Sequence, residues 1–103
     1  MADTLALGGN IELTGFSELE PAVMVVVKKI VGNYTKRLGT LVDNFERLHI
    51  TIKTVHHKEK SEKYEFHARV DATGKQYAAE ETDFNLFFAL DKVLKKLENE
   101  ISK

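Results

Sequence analysis

Apolar and polar residues alternate strictly along two stretches in the middle of the chain. In RLHITIKTV, residues 47–55, Leu48, Ile50 and Ile52 fall on one side and polar residues fall on the other. The same alternation returns in YEFHARVDA, residues 64–72. A period of two residues is typical of a strand with one buried face. The pattern therefore predicts two strands, each with one face on a core and one face in water.

Two shorter stretches predict further strands. IELTGF, residues 11–16, alternates and closes at Gly15. KQYAAEE, residues 75–81, follows DATGKQ, where Gly74 favours a tight turn. Three successive strands joined by short turns predict an antiparallel meander.

Two other stretches repeat their apolar residues at helical spacing. The first is expected to begin near Pro21, which suits the first turn of a helix, and to stop at Gly39. The second is TDFNLFFALDKVLKKLENEISK, residues 82–103, and its expected N-cap is Thr82 or Asp83.

The element order predicts an α+β domain of the form β-α-β-β-β-α. Its four-stranded sheet would carry both helices on one face, because only that face is apolar, and would leave the other face to water. Residues 1–10 are expected to form a flexible N-terminus, and residues 11–103 a single domain.

Composition narrows the class of protein. A chain of 103 residues with 43% hydrophobic content suits one small core. The net charge of −1 argues against a protein that binds polyanions non-specifically over its whole surface. It does not exclude a local basic face, because the net charge averages over both sides of the molecule. The chain has no cysteine and no apolar run near the roughly 20 residues that span a bilayer. A soluble cytoplasmic protein without a membrane partner is expected.

The residues offer little for catalysis or for metal binding. His49 and His67 lie on the polar faces of two strands that are expected to pair, and could be neighbours. No cysteine and no HExxH pattern accompanies them, so exposed histidines are favoured over a metal site. No serine lies in a G-x-S-x-G turn. Neither an enzyme nor a bound cofactor is predicted.

The cationic residues are more informative, because charge is segregated along the chain. Residues 20–39 carry four basic residues against Glu20, whereas residues 1–19 carry no basic residue. If the two helices lie side by side, their basic residues merge into one surface for phosphates. The alternative is that these lysines only keep the protein soluble. The candidate RNA-binding residues are Lys28, Lys29, Lys36, Arg37, Lys58, Lys60, Lys92, Lys95 and Lys96.

The order of elements and the last helix resemble the ribosome hibernation-promoting factor family, also called the sigma-54 modulation or protein Y family. In NLFFALDKVLKKL, Asp91 matches the second aspartate of the family signature, and the pair Lys96-Leu97 matches its lysine-leucine pair. Asn85 stands where the family carries its first aspartate. IELTGF is similar to the opening strand of the family, and the resemblance extends over residues 11–102.

This resemblance implies a short-form member without the additional C-terminal domain of long-form relatives. It implies a stress-response protein that binds the small ribosomal subunit and its rRNA and blocks the sites of messenger and transfer RNA. Such a task needs no reacting group and no cofactor. It needs cations spaced to meet phosphates.

Three other functions stay open at this point. The chain could be a protein-interaction or homodimerisation module of the same fold that does not bind RNA, with the exposed sheet face or the edge strand around Tyr77 forming a weak homodimer. A double-stranded-RNA-binding domain shares the helix–three strands–helix order, but the acidic segment EETDFN before the last helix disfavours phosphate binding there. A small enzyme is the third possibility.

Overall fold

The computed structural model describes residues 4–7, 10–56 and 62–103 of the chain. These residues form five strands and two helices. The elements are β1 (Thr4–Ala6), β2 (Ile11–Thr14), α1 (Pro21–Leu41), β3 (Phe45–His56), β4 (Glu62–Ala72), β5 (Lys75–Asp83) and α2 (Leu86–Ile101).

The strands form one mixed sheet in the order β1-β2-β3-β4-β5. β2 pairs with β3 in parallel, and the other neighbours pair antiparallel, so the predicted meander of β3, β4 and β5 is confirmed. The connection between β4 and β5 is tight, because Thr73 and Gly74 both adopt positive φ angles of 43° and 72°. Two consecutive positive φ angles match the twist of a hairpin.

The predicted number of four strands is wrong, because β1 adds a fifth strand to the sheet. β1 pairs antiparallel with β2, and the hydroxyls of Thr4 and Thr14 lie 3.1 Å apart. All three residues of β1 are exposed, so no alternation between buried and exposed positions signals this strand. The division into residues 1–10 and 11–103 stays a prediction.

Both helices pack on one face of the sheet, as predicted. The core combines alternate residues of the strands, such as Leu48, Ile50 and Phe66, with Val31 of α1 and Leu90 of α2. The intervening strand residues point to the opposite face. Ile52, opposite Phe66 in the sheet, is 5% exposed, so the predicted register of β3 is confirmed.

Gly15 allows the chain to leave β2 against β3. It has a φ angle of +87°, and a Cβ atom at this position would lie 2.5 Å from the carbonyl oxygen of Ile52. Only glycine combines this backbone conformation with such a close approach. Gly15, which closes the predicted first strand, therefore allows the chain to turn away from the sheet at the end of β2 and continue towards α1.

Two predicted helix boundaries are wrong. α1 continues past Gly39 to Leu41, because an isolated exposed glycine costs a helix only about 1 kcal/mol. α2 has Asn85 as its N-cap, with the Asn85 side chain accepting a hydrogen bond from the Phe88 N–H at 2.9 Å. Thr82 and Asp83 instead end β5. Asparagine is among the residues that cap helices best.

Candidate nucleic-acid interface

The outward side of the two helices is hereafter called the helix layer surface. On α1 it carries Lys28, Lys29 and Lys36, which are all exposed. Within the described part of the chain, none of these three ammonium groups makes an ion pair. The same holds for exposed Lys95 on α2. These four cations are therefore available to phosphates without first breaking an internal contact.

Arg37 is exposed but already engaged. Its guanidinium bonds the Glu98 carboxylate at 3.0 Å and lies 5.2 Å from the ring centroid of Tyr34. Arg37 thus links α1 to α2, and its charge is partly balanced. The predicted contact residue is at the surface, but it has a structural role as well.

Lys92 and Lys96 point towards carboxylates of the edge strand β5. Lys92 Nζ lies 3.3 Å from Asp83 and 4.0 Å from Glu81, and Lys96 Nζ lies 3.4 Å from Glu81. Lys96 also donates to the backbone carbonyl of Glu80 at 3.2 Å. The pKa of Asp83 is lowered, first by the backbone N–H of Asn85 and then by Lys92. These two lysines therefore join α2 to β5 and offer less free charge than the lysines of α1.

Lys58 and Lys60, the two candidates in the turn after β3, lie outside the described residues. Their part in the interface stays a prediction. The candidates of α1 and α2, by contrast, do lie on neighbouring helices, because Tyr34 and Arg37 of α1 both reach α2.

Two exposed aromatic rings that the sequence reasoning missed lie near the start of α2: Phe88 in its first turn and Phe84 just before it. Phe88 is 58% exposed and Phe84 is 56% exposed. Lys92 Nζ lies 5.3 Å from the ring centroid of Phe88, and Lys63 Nζ lies 5.3 Å from that of Phe84. Both rings fall outside the apolar stripe of α2, and this departure is the sequence signal that could have found them.

The contact between Tyr34 and Asp91 holds the two helices together. The Tyr34 hydroxyl donates to the Asp91 carboxylate at 3.0 Å. Burial raises the pKa of Tyr34, and the hydrogen bond to Asp91 raises it further. Asp91, which the family signature marks, therefore acts between the helices.

We expect Tyr34→Phe to lower the free energy of unfolding by about 1 kcal/mol near neutral pH, the usual net value of one hydrogen bond. Because the folded protein disfavours the ionised phenol, this stabilisation is present below the ordinary tyrosine pKa and is lost as pH rises above about 10. Urea unfolding of both proteins across this range tests the effect. A gap between them that stays constant with pH would contradict it.

The polar face of the sheet lies opposite the helix layer surface. His49 Nε2 and the Thr14 hydroxyl are 2.8 Å apart, and His67 lies between Glu65 and Glu80. The hydrogen bond with His67 lowers the pKa of Glu65. His49 and His67 are diagonal neighbours, because they pair with Arg69 and Thr51 respectively. Over the described ranges, no group of three or more potential ligands could hold a metal ion.

The fold is an α+β domain that carries exposed lysines on the outward side of both helices. The structure resembles that of a ribosomal subunit interface protein from Coxiella burnetii, with a TM-score of 0.60 and 18% identity over 90% of this chain and 91% of that chain. It also resembles the N-terminal domain of Thermus thermophilus protein Y, with a TM-score of 0.57 and 19% identity over 95% of this chain and 97% of that domain. The resemblance to the protein Y family is thereby confirmed at the level of the fold.

Sequence comparisons add no further relative. No protein-family model matches the chain. No curated protein sequence matches it either. In the described part of the chain, neither helix is long and apolar enough to cross a membrane.

Proposed function

We propose that this protein binds the small ribosomal subunit through its rRNA and, by occupying the sites of messenger and transfer RNA, holds the ribosome inactive. The observation that carries the proposal is the charge arrangement of the helix layer surface. Lys28, Lys29 and Lys36 point outward on α1, and Lys95 does so on α2.

The acidic groups of the two helices support this assignment by their positions. Asp91 bonds the Tyr34 hydroxyl, and Glu98 bonds Arg37, so both carboxylates are used between the helices. The third carboxylate of α2, Glu100, is paired with Lys103 at 3.0 Å. The outward side is therefore locally cationic in a chain whose net charge is −1. A local basic surface can bind RNA even when the net charge of the whole chain is not positive.

The structural neighbours support the same partner. One is named for the interface between ribosomal subunits, and the other is the N-terminal domain of protein Y. We transfer ribosome association from these proteins as part of the proposal. The contact residues follow from the present chain, with Lys28, Lys29, Lys36 and Lys95 as primary contacts and Arg37, Lys92 and Lys96 as secondary ones.

Co-sedimentation with purified small subunits at two salt concentrations tests the proposal. Each phosphate contact releases counterions, so binding through several lysines should weaken steeply as salt rises. A contact made only with protein would respond much less. Absence of co-sedimentation at low salt would remove the proposed function.

A homodimer through β5 is the second candidate function. β5 is the last strand of the sheet over the described residues, so one side of it lacks a neighbouring strand. Antiparallel self-pairing centred on Ala79 would put Lys75 of one copy opposite Asp83 of the other, at both ends of the interface. Lys96, which bonds the Glu80 carbonyl, would have to move aside.

Sedimentation velocity over a range of protein concentrations tests the homodimer. If it forms, Lys75→Glu should weaken it, because two pairs of like charges would then face each other. Lys103→Glu, at the end of the chain, is the control with the same change of charge. A monomer at every concentration would exclude this candidate.

A further inference from the structure

Phe88 lies on the outward side of α2, in the first turn of the helix, and is 58% exposed. Helical spacing puts Phe88, Lys92, Lys95 and Asn99 on one face, at positions i, i+4, i+7 and i+11. A single exposed apolar side chain is common and needs no explanation by itself. Phe88 differs because two lysines, Lys92 and Lys95, follow it on the same face of the helix, and none of these four helix positions carries a carboxylate.

Lys92 is held in place beside the ring. Its ammonium bonds Asp83 at 3.3 Å and lies 5.3 Å from the Phe88 ring centroid. Lys95 follows one turn later and makes no ion pair with any described residue. One cation is thus fixed by the fold, and the next is free for an anion about 10 Å along the helix axis from Phe88.

The combination of an exposed aromatic ring with a free cation, Lys95, further along the same face fits a nucleotide. A base stacks on the ring, and its phosphates meet the lysines, as in proteins that bind single-stranded nucleic acid. Bases inside a duplex have their faces covered by their neighbours, so only an unpaired, unstacked base can use the ring. A cationic protein segment would be repelled by Lys95, which makes no ion pair with any described residue.

We infer that Phe88 is a stacking platform for an unpaired base of the bound RNA, with Lys95 contacting an adjacent phosphate. This inference rests on the proposed function and adds the class of RNA that the surface selects. Phe88 would then contact the bases of the RNA, and the lysines of α1 would contact its sugar-phosphate backbone. The two kinds of contact respond differently to salt, so they can be separated.

The absence of tryptophan from the chain allows a direct spectroscopic test. The Phe88→Trp variant carries one indole at the proposed stacking position. Titration with a short single-stranded RNA should quench its emission, and titration with a duplex of the same sequence should not. Unchanged emission when the single strand is bound would overturn the inference.

Affinity measurements with Phe88→Ala provide the second test. We expect single-stranded RNA to bind about five- to hundredfold more weakly, with an unchanged salt slope because no phosphate contact is lost. Lys95→Ala should instead reduce the slope by about one unit. Val55→Ala trims another exposed apolar side chain, which lies on the opposite sheet face, and should bind like wild type.

The outcomes separate the inference from the proposed function. If wild type binds RNA with a steep salt slope but Phe88→Ala binds equally well, the stacking role is wrong and the proposed function stands. If wild type binds neither RNA nor small subunits, both are wrong. If Phe88→Ala loses subunit binding although wild type binds no RNA, the ring contacts protein, and the inference is overturned.

Discussion

Replacing Lys28, Lys29 and Lys36 together with glutamate is expected to abolish co-sedimentation with the small ribosomal subunit. Each lysine that meets a phosphate contributes about one unit to the slope of log affinity against log salt. The triple variant loses three such contacts and adds three repulsive charges. Fluorescence anisotropy with an rRNA fragment at several salt concentrations would measure the same loss.

The triple variant is expected to fold normally. The three side chains are exposed and make no ion pair with another described residue. Arg37 is left out on purpose, because Arg37→Glu would put a second carboxylate beside Glu98 and could disturb the contact between the helices. Circular dichroism and thermal unfolding would check the fold before binding is interpreted.

A matched control changes the same number of charges elsewhere. Lys53, Lys75 and Lys103 are exposed and lie on β3, at the start of β5 and at the end of the chain. Replacing all three with glutamate alters the net charge equally but spares the helix layer surface. Subunit binding close to that of wild type is expected. If the two triple variants bind alike, the surface proposed for RNA is wrong.

The strands that could be predicted are those in which one face is buried. Strict alternation located β3 and β4, because burial on one side forces apolar residues into every second position. β1 has no buried residue, so it left no such signal, and its place depends on pairing with β2. The end of α1 was missed for a related reason, since an isolated glycine lowers helix stability without deciding where the helix stops.

The candidate site was predictable in its position but not in its energetics. Spacing along α1 identified the exposed arc that carries Lys28, Lys29 and Lys36. Spacing along α2 could not reveal that Lys92 and Lys96 bond carboxylates of β5. Helix and strand residues come together only when α2 packs beside β5 in the fold. For the same reason, free and paired lysines could not be told apart from the sequence.

The second large effect is expected on the free energy of unfolding, from truncating Ile52 in the core. Ile52 is 5% exposed, is paired across the sheet with Phe66, and supplies the carbonyl oxygen that approaches Gly15. Phe66 in turn contacts Phe16, with ring centroids 6.1 Å apart. Truncation at this point leaves a cavity where β3, β4 and the segment after β2 meet, so the neighbours cannot easily move inward.

We expect Ile52→Ala to reduce the free energy of unfolding by about 2–5 kcal/mol, the usual range for removing a buried aliphatic side chain. Thr51→Ala is the internal control, because Thr51 is the neighbouring residue of the same strand and lies on the polar face near His49. A change of at most about 1 kcal/mol is expected there. Urea unfolding of the two variants tests the register directly, since a shift of one residue in β3 would exchange their effects.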